Sequence, residues 1–163
     1  MLDPLPATIP HAAEAAARAW PDATALIEDD VVWTFAELWQ RSRAAASALL
    51  VKKIKAGDRV AIWAPNRREW IIAAIATMAI GATVVTLNTR LKGREAGDIL
   101  RRSKARILFT VSDFLGIDYR ALLSDENLPD LDEIVMLDRE FDAFVALGGG
   151  AGDTAVDQAL ALV

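Results

Sequence analysis

The apolar residues of this chain occur in short continuous runs separated by stretches with helical spacing. The runs at 58–63, 82–87 and 105–111 are typical of strands that are buried on both faces of a sheet. Between them, residues 66–80 and 94–104 carry apolar positions at the spacing of a helix. The pattern therefore predicts a strand–helix–strand–helix–strand unit in the middle of the chain.

Weaker patterns flank this unit on both sides. Thr34 followed by Glu37 has the spacing of a capping box, and Asn66 followed by Glu69 predicts a second cap pair. The other predicted elements are a helix at 10–20, two short strands around the acidic turn 28–30, a helix from Thr34 onward, a short helix near 116–123, a strand at 133–137 and a helix at 140–147.

The alternation of apolar strands with helices predicts the fold class. It favours an α/β fold with a doubly wound, mostly parallel sheet that is flanked by helices. Residues 1–147 are assigned to this α/β domain. The run Gly148-Gly149-Gly150 is typical of a linker, so residues 148–163 are predicted to be a linker and a terminal helix or strand.

Composition and charge exclude several kinds of site. The chain has 163 residues with no Cys and one His, which excludes a disulfide scaffold, a thiolate metal site and a His cluster for zinc. The net charge is −5, but residues 1–112 carry 16 Lys and Arg against 11 Asp and Glu. The overall acidity argues against nucleic acid as a partner, whereas the positive first part leaves room for a small anionic ligand.

One uncharged run is long enough to raise the question of a membrane. Residues 71–87 carry no charge over 17 residues, which is the lower limit for a span. Gly81 and three Thr interrupt the run and its second half is β-branched, so a buried helix followed by a buried strand explains it better. The N-terminus also lacks the pattern of a signal peptide. We therefore predict no membrane span and a cytoplasmic location.

A loop rich in cations is the candidate site. No segment that follows a predicted strand contains a G-x-G-x-x-G or G-x-x-x-x-G-K-[ST] phosphate motif. The loop 88–92 (NTRLK) follows a predicted strand at the edge where open α/β sheets bind ligands. Arg90, Lys92 and Arg94 bring three cations near a helix N-terminus, a setting that suits an anion. The alternative is a solvated loop whose charges face water.

Several phrases in fixed order resemble one enzyme superfamily. WTFAELWQRSRAAASALL matches a Thr-aromatic-x-Glu-Leu helix signature at Thr34, Phe35, Glu37 and Leu38. The stretch from 57 to 91 is similar to a strand–helix–strand unit of the same superfamily, with matches at Gly57-Asp58-Arg59-Val60, Asn66, Gly81-Ala82 and Asn88-Thr89-Arg90. Over residues 26–111 the chain resembles the N-terminal part of the adenylate-forming (AMP-binding) enzymes, in particular their acyl-CoA synthetases.

This resemblance implies the N-terminal subdomain of the adenylate-forming fold and a parent ligase of fatty acid metabolism. Such a ligase activates a carboxylic acid with ATP and Mg²⁺ and then forms a thioester with CoA. The family's phosphate loop, ribose-binding Asp and catalytic Lys have no counterpart in this sequence. We therefore expect the chain by itself to be inactive and to bind none of these cofactors tightly. Arg90 stands where related ligases carry an Arg that reaches a CoA phosphate, which implies the same contact here.

Two alternatives stay open beside the ligase. One is a stand-alone, flavodoxin-like module that binds an anion at Arg90, and the other is a structural or interaction scaffold. A reading frame that continues past Val163 would favour the ligase, and a stop codon there would favour either alternative. A piece of a ligase would lack its partner surface, so we also expect exposed apolar area and self-association, and the 53% hydrophobic composition suits such a piece.

Overall fold

The computed structural model describes residues 7–149 and 153–163. Its helices are α1 (Ile9–Ala19), α2 (Phe35–Val51), α3 (Arg68–Ala79), α4 (Gly93–Ser103), α5 (Phe141–Ala146) and α6 (Asp153–Leu160). Its strands are β1 (Thr24–Glu28), β2 (Val31–Thr34), β3 (Arg59–Trp63), β4 (Thr83–Thr86), β5 (Ile107–Thr110) and β6 (Glu133–Met136).

Strands β3 to β6 form one parallel sheet in the order β4-β3-β5-β6. Val60 of β3 pairs with Val84 on one side and with Ile107 on the other, so β3 is an interior strand. The chain passes from β3 outward to β4 and then back across β3 to β5. Right-handed crossovers therefore place α3 and α4 on opposite faces of the sheet. The predicted doubly wound, mostly parallel sheet is confirmed, and β1 with β2 forms a separate antiparallel hairpin.

The core is centred on β3 and β5. Residues 60–63 and 107–110 of these strands are all buried, because each strand has a neighbour on both sides and helices on its faces. Helices α2 and α3 pack against each other, and α6 joins them with Val156 and Leu160 buried in the same core. The predicted terminal element is thus a helix. Gly150 of the predicted linker lies outside the described residues, and the division at residue 148 stays a prediction.

The strand β4 lies at an edge of the sheet. Thr83 and Thr86 are exposed, and Val84 and Val85 are half-buried. The prediction of a buried strand is wrong here, because an apolar β-branched run does not indicate whether a strand has one neighbour or two. The uncharged run itself is divided between α3 and β4, and no helix of the described chain is long and apolar enough to cross a membrane.

One of the two predicted helix caps is confirmed and the other is wrong. The Glu37 amide donates to Thr34 Oγ1 at 3.2 Å, and the Thr34 amide donates to Glu37 Oε2 at 2.8 Å, which completes a capping box. Helix α3 instead begins at Arg68. The side chain of its N-cap residue Arg67 makes no capping hydrogen bond, and Glu28 Oε1 accepts from the Arg68 amide at 3.3 Å. The Glu69 carboxylate accepts from Arg67 Nε at 2.7 Å, and Arg68 Nε lies 3.0 Å from its other oxygen. Charge-assisted partners are stronger than a neutral amide, so Glu69 is not available to Asn66.

The helix predicted near 116–123 is also wrong. A 3-10 turn covers only Ala121–Leu123. The residues before it turn tightly, because Gly116 adopts a φ of +76° and its amide donates to Asp113 Oδ1 at 2.9 Å. The Ala121 amide donates to Asp118 Oδ1 at 3.0 Å. Short acidic side chains that bind nearby amides offer the backbone an alternative to a helix.

Candidate functional site

The carboxyl ends of β3 to β6 lie along one edge of the sheet, and the loops that leave this edge carry the candidate chemistry. The direction of winding reverses between β3 and β5, and ligands of open α/β sheets bind at the carboxyl edge near such a reversal. The loop that contains Arg90 leaves β4, directly beside β3. Arg90 therefore lies at the edge where the sequence placed it.

Arg90 lies in an exposed turn, which we call the Arg90 loop (residues 88–92). Its amide donates to Asn88 Oδ1 at 2.9 Å, and the Leu91 amide donates to Asn88 O at 3.1 Å. The Arg90 guanidinium makes no hydrogen bond or ion pair with any residue in 7–149 or 153–163. Lys92 and Arg94 are exposed as well. A planar, unpaired guanidinium is able to bind two oxygens of a phosphate or carboxylate at once.

The helix that follows contributes less to anion binding than the sequence suggested. Helix α4 begins at Gly93, and the Lys92 amide before it already donates to Glu95 Oε2 at 2.9 Å. A Cβ atom at Gly93 would lie 1.8 Å from Leu122 O, so the chain around Leu122 covers this side of the first turn. The carboxylate and this cover leave the Arg90 guanidinium as the main candidate contact for an anion.

Two buried aromatic residues lie beneath the Arg90 loop. Trp63 Nε1 donates to Asn88 O at 2.9 Å, and Tyr119 Oη donates to Thr89 O at 2.9 Å. The two rings meet edge to face with centroids 4.6 Å apart. A phenol is protonated at neutral pH and can donate this hydrogen bond, and burial raises the pKa of Tyr119 further above its usual range.

Neither aromatic residue was expected at this site from the sequence pattern. Trp63 ends an apolar run, where core packing is the ordinary role of a Trp, and Tyr119 is the single Tyr of the chain. A usable signal did exist for Trp63, because a Trp at the end of a buried strand needs an acceptor for its indole N–H. Tyr119 carried no comparable signal, since it follows a turn of irregular sequence.

A second polar group ties together the loops after β3, β5 and β6. The Ser112 amide donates to Asp138 Oδ1 at 3.0 Å, and the Ser112 hydroxyl donates to the other carboxylate oxygen. Burial by itself would raise the pKa of Asp138, but the hydrogen bonds from Ser112 and the charge of Arg67 outweigh it and lower the pKa. Asp138 is therefore an ionised, fully engaged carboxylate that fixes loops, which does not suit a general base.

The described residues do not fit a magnesium site or a nucleotide phosphate loop. Within 7–149 and 153–163, no group of three His, Asp or Glu side chains is placed to hold a metal ion. The turns after β3, β4 and β5 also lack the paired glycines that let a backbone approach a phosphate closely. A small anion such as a phosphate fits better, because the Arg90 guanidinium is exposed, has no partner among the described residues and supplies charge and donors.

Comparison with known proteins connects this chain to one family. The family model described as AMP-binding enzyme matches residues 13–156. A protein of Mycobacterium tuberculosis (strain ATCC 25618 / H37Rv) named 3-[(3aS,4S,7aS)-7a-methyl-1,5-dioxo-octahydro-1H-inden-4-yl]propanoyl:CoA ligase is 41% identical over 160 residues, which is 95% of this chain and 32% of that protein. The chain thus spans about a third of the length of this relative.

Solved structures share the fold. The anthranilate CoA ligase AuaEII, in complex with anthranoyl-AMP, is 27% identical with a TM-score of 0.74, and the match covers 82% of this chain and 26% of that one. The N-terminal domain of FACL13 from Mycobacterium tuberculosis is 25% identical with a TM-score of 0.75, over 86% of this chain and 36% of that one. Since the family match covers most of its length, the chain belongs to the AMP-binding enzyme family.

Proposed function

We propose that this chain is the N-terminal part of an ATP-dependent acyl-CoA ligase. The observation that carries the proposal is the 41% identity to a CoA ligase along 95% of the chain, together with a shared fold. In such a ligase the carboxylate of the acid attacks the α-phosphorus of ATP and releases pyrophosphate. The thiol of CoA then attacks the activated carbonyl carbon and releases AMP.

In this proposal the chain supplies scaffold and one contact. The parallel sheet holds the Arg90 loop at its carboxyl edge, and the Arg90 guanidinium binds a phosphate of CoA. In this proposal ATP and Mg²⁺ are bound by other segments of the ligase. The 163-residue chain by itself is expected to be inactive and to bind neither ATP nor CoA tightly.

The carboxylic acid substrate of the proposed ligase is to be identified by an activity assay. Fatty acid metabolism stays a prediction from the resemblance, and a cytoplasmic location stays a prediction from the sequence pattern. The name of the Mycobacterium tuberculosis relative describes a propanoate carried on a bicyclic dione. A ring-bearing propanoate and a straight-chain fatty acid are therefore the two acids to compare as substrates.

The replacement Arg90→Ala tests the CoA contact in the ligase that contains this chain. We expect the KM for CoA to rise about tenfold, because a charge-assisted hydrogen bond to phosphate is lost. Acid-dependent exchange of pyrophosphate into ATP should not change, since CoA takes no part in that step. Arg94→Ala is the matched control, as Arg94 is an exposed Arg beside the same loop. An unchanged KM for CoA, or an equal rise in the control, would contradict the proposed contact.

A stand-alone anion-binding module is the second candidate, and the strand order favours it. The order β4-β3-β5-β6 matches that of flavodoxin-like sheets, which bind ligands without a further domain. Calorimetric titration of the 163-residue chain with CoA, and separately with ATP and Mg²⁺, distinguishes the two candidates. Micromolar binding of CoA alone would support the module. Binding of neither ligand would support the ligase part or a scaffold, and tight binding of ATP would contradict both.

A further inference from the structure

The geometry points to Trp63 and Tyr119 as positioning residues for Arg90. We infer that the two aromatic side chains hold the main chain of the Arg90 loop, so that the guanidinium meets a phosphate from a fixed backbone. The identity of the phosphate, a group of CoA, rests on the proposed function. The positioning itself rests on contacts within the chain.

The main chain around Arg90 is fixed at consecutive residues. Asn88 O accepts from Trp63 Nε1, Thr89 O accepts from Tyr119 Oη, and the Arg90 amide donates to Asn88 Oδ1, each at 2.9 Å. The Leu87 amide just before them donates to Ile62 O at 2.9 Å. The main chain is therefore hydrogen-bonded at each residue from Leu87 to Arg90, although β4 ends before them.

Tyr119 reaches the loop from a separate part of the chain. The segment that carries it packs along α4, where Leu122 O faces Gly93 and Arg101 Nη1 lies 2.6 Å from Glu126 Oε2. Tyr119 is 1% exposed and Trp63 is 0% exposed, so the edge-to-face pair is part of the core. The support under the loop is thus held by contacts that do not involve Arg90.

In this arrangement the main chain of the loop is hydrogen-bonded, while the Arg90 guanidinium has no partner in the part of the chain that the structure describes. Binding costs less conformational entropy when the backbone that presents a charged group is already ordered. Loss of the Tyr119 hydroxyl would leave the Thr89 carbonyl without its partner and release the middle of the loop. A residue that only filled the core would not affect the loop in this way.

Tyr119→Phe tests the inference, because it removes one hydroxyl and keeps the ring beside Trp63. Amide hydrogen exchange at Arg90 and Leu91 is measured by NMR on the 163-residue chain. We expect exchange to become about fivefold faster, in line with the loss of one ordinary hydrogen bond. Thr77→Val is the matched control, since it removes a buried hydroxyl that donates to Ala73 O at 2.7 Å inside α3. Unchanged exchange, or an equal increase in both variants, would overturn the inference.

A second measurement separates this inference from the proposed function. In the ligase, Tyr119→Phe should raise the KM for CoA about threefold with pyrophosphate exchange unchanged, and it should add nothing when Arg90 is already Ala. A threefold rise that persists in the Arg90→Ala background would count against positioning through Arg90. If Arg90→Ala leaves the KM for CoA unchanged, the proposed CoA contact fails, and the exchange rates alone then decide whether Tyr119 holds the loop.

Discussion

Tyr119 combines two functions in one buried side chain. Its ring packs edge to face on Trp63, and its hydroxyl donates to the carbonyl of Thr89. Since a phenolate cannot donate this hydrogen bond, the protonation state of Tyr119 is coupled to the Arg90 loop. Burial raises the pKa of the phenol, so the folded chain favours the protonated form.

This coupling predicts an alkaline loss of stability that belongs to Tyr119. A raised pKa in the folded state gives stabilisation that is complete below the unfolded pKa, about 10 for Tyr, and is lost as the pH rises through the folded pKa. Absorption of the tyrosinate band reports Tyr119 alone, because the chain has one Tyr. We expect it to titrate above the ordinary range, while Tyr119→Phe unfolds with a weaker dependence on pH. Titration at the ordinary value would show that burial does not control this group.

The start of α4 is determined by close contact rather than by helix propensity. Gly93 is the first residue of the helix, and Leu122 O occupies the space where a side chain would begin. Gly is a poor helix former, so its use here indicates that the approach of the two segments matters more than the helix itself. The same contact orders the segment that carries Tyr119.

Gly93→Ala makes these two effects oppose each other. Helix propensity alone would stabilise the variant by at most about 1 kcal/mol, which is the value for a helix interior. The Cβ atom would lie 1.8 Å from Leu122 O, and overpacking of this kind costs about 1–3 kcal/mol. We expect a net decrease in the free energy of unfolding, measured by urea denaturation, while Arg94→Ala changes it by less than about 0.5 kcal/mol. A more stable Gly93→Ala variant would show that the contact is not tight.

Across the whole molecule, the basic first part of the chain pairs with the acidic last part. Among the described residues, ion pairs between them include Lys52–Glu133 at 2.9 Å, Arg101–Glu126 at 2.6 Å, Arg106–Asp132 at 2.6 Å and Arg43–Asp157 at 2.5 Å. Each is partly exposed and contributes roughly 0–1 kcal/mol. These ion pairs join the acidic last part of the chain to the basic first part. The apolar surface of the hairpin β1–β2 stays exposed.

That apolar surface predicts self-association. Ile27 and Val32 face each other across the hairpin and are 69% and 54% exposed. Changing both to Thr keeps the β-branched shape that suits a strand and removes the apolar contact area. We expect the 163-residue chain to form dimers or larger species during sedimentation at high concentration, and the double variant to form fewer of these species. Leu162→Ser, at another exposed apolar position, is the control, and a monomeric parent chain at every concentration would refute the prediction.

Local patterns predicted the elements well and the details of their ends less well. The Thr34–Glu37 cap is confirmed because both partners are close in sequence and no other group competes for them. The Asn66–Glu69 cap failed because Arg67 and Arg68 bind the same carboxylate. The helix near 116–123 failed because side chains of the turn bind its amides. In each of these two cases, nearby side chains made hydrogen bonds or ion pairs that replaced the predicted local interaction.

The alternation of apolar strands and helices was enough to determine a doubly wound parallel sheet, since parallel neighbours require long crossovers and both faces must be covered. It was also enough to place Arg90 after a strand. The position of β4 at the sheet edge and the aromatic pair beneath the Arg90 loop were decided only in three dimensions. Strand order and the contact of Tyr119 with Thr89, 30 residues apart, depend on which surfaces pack together, and packing between distant segments leaves no periodic trace in the sequence.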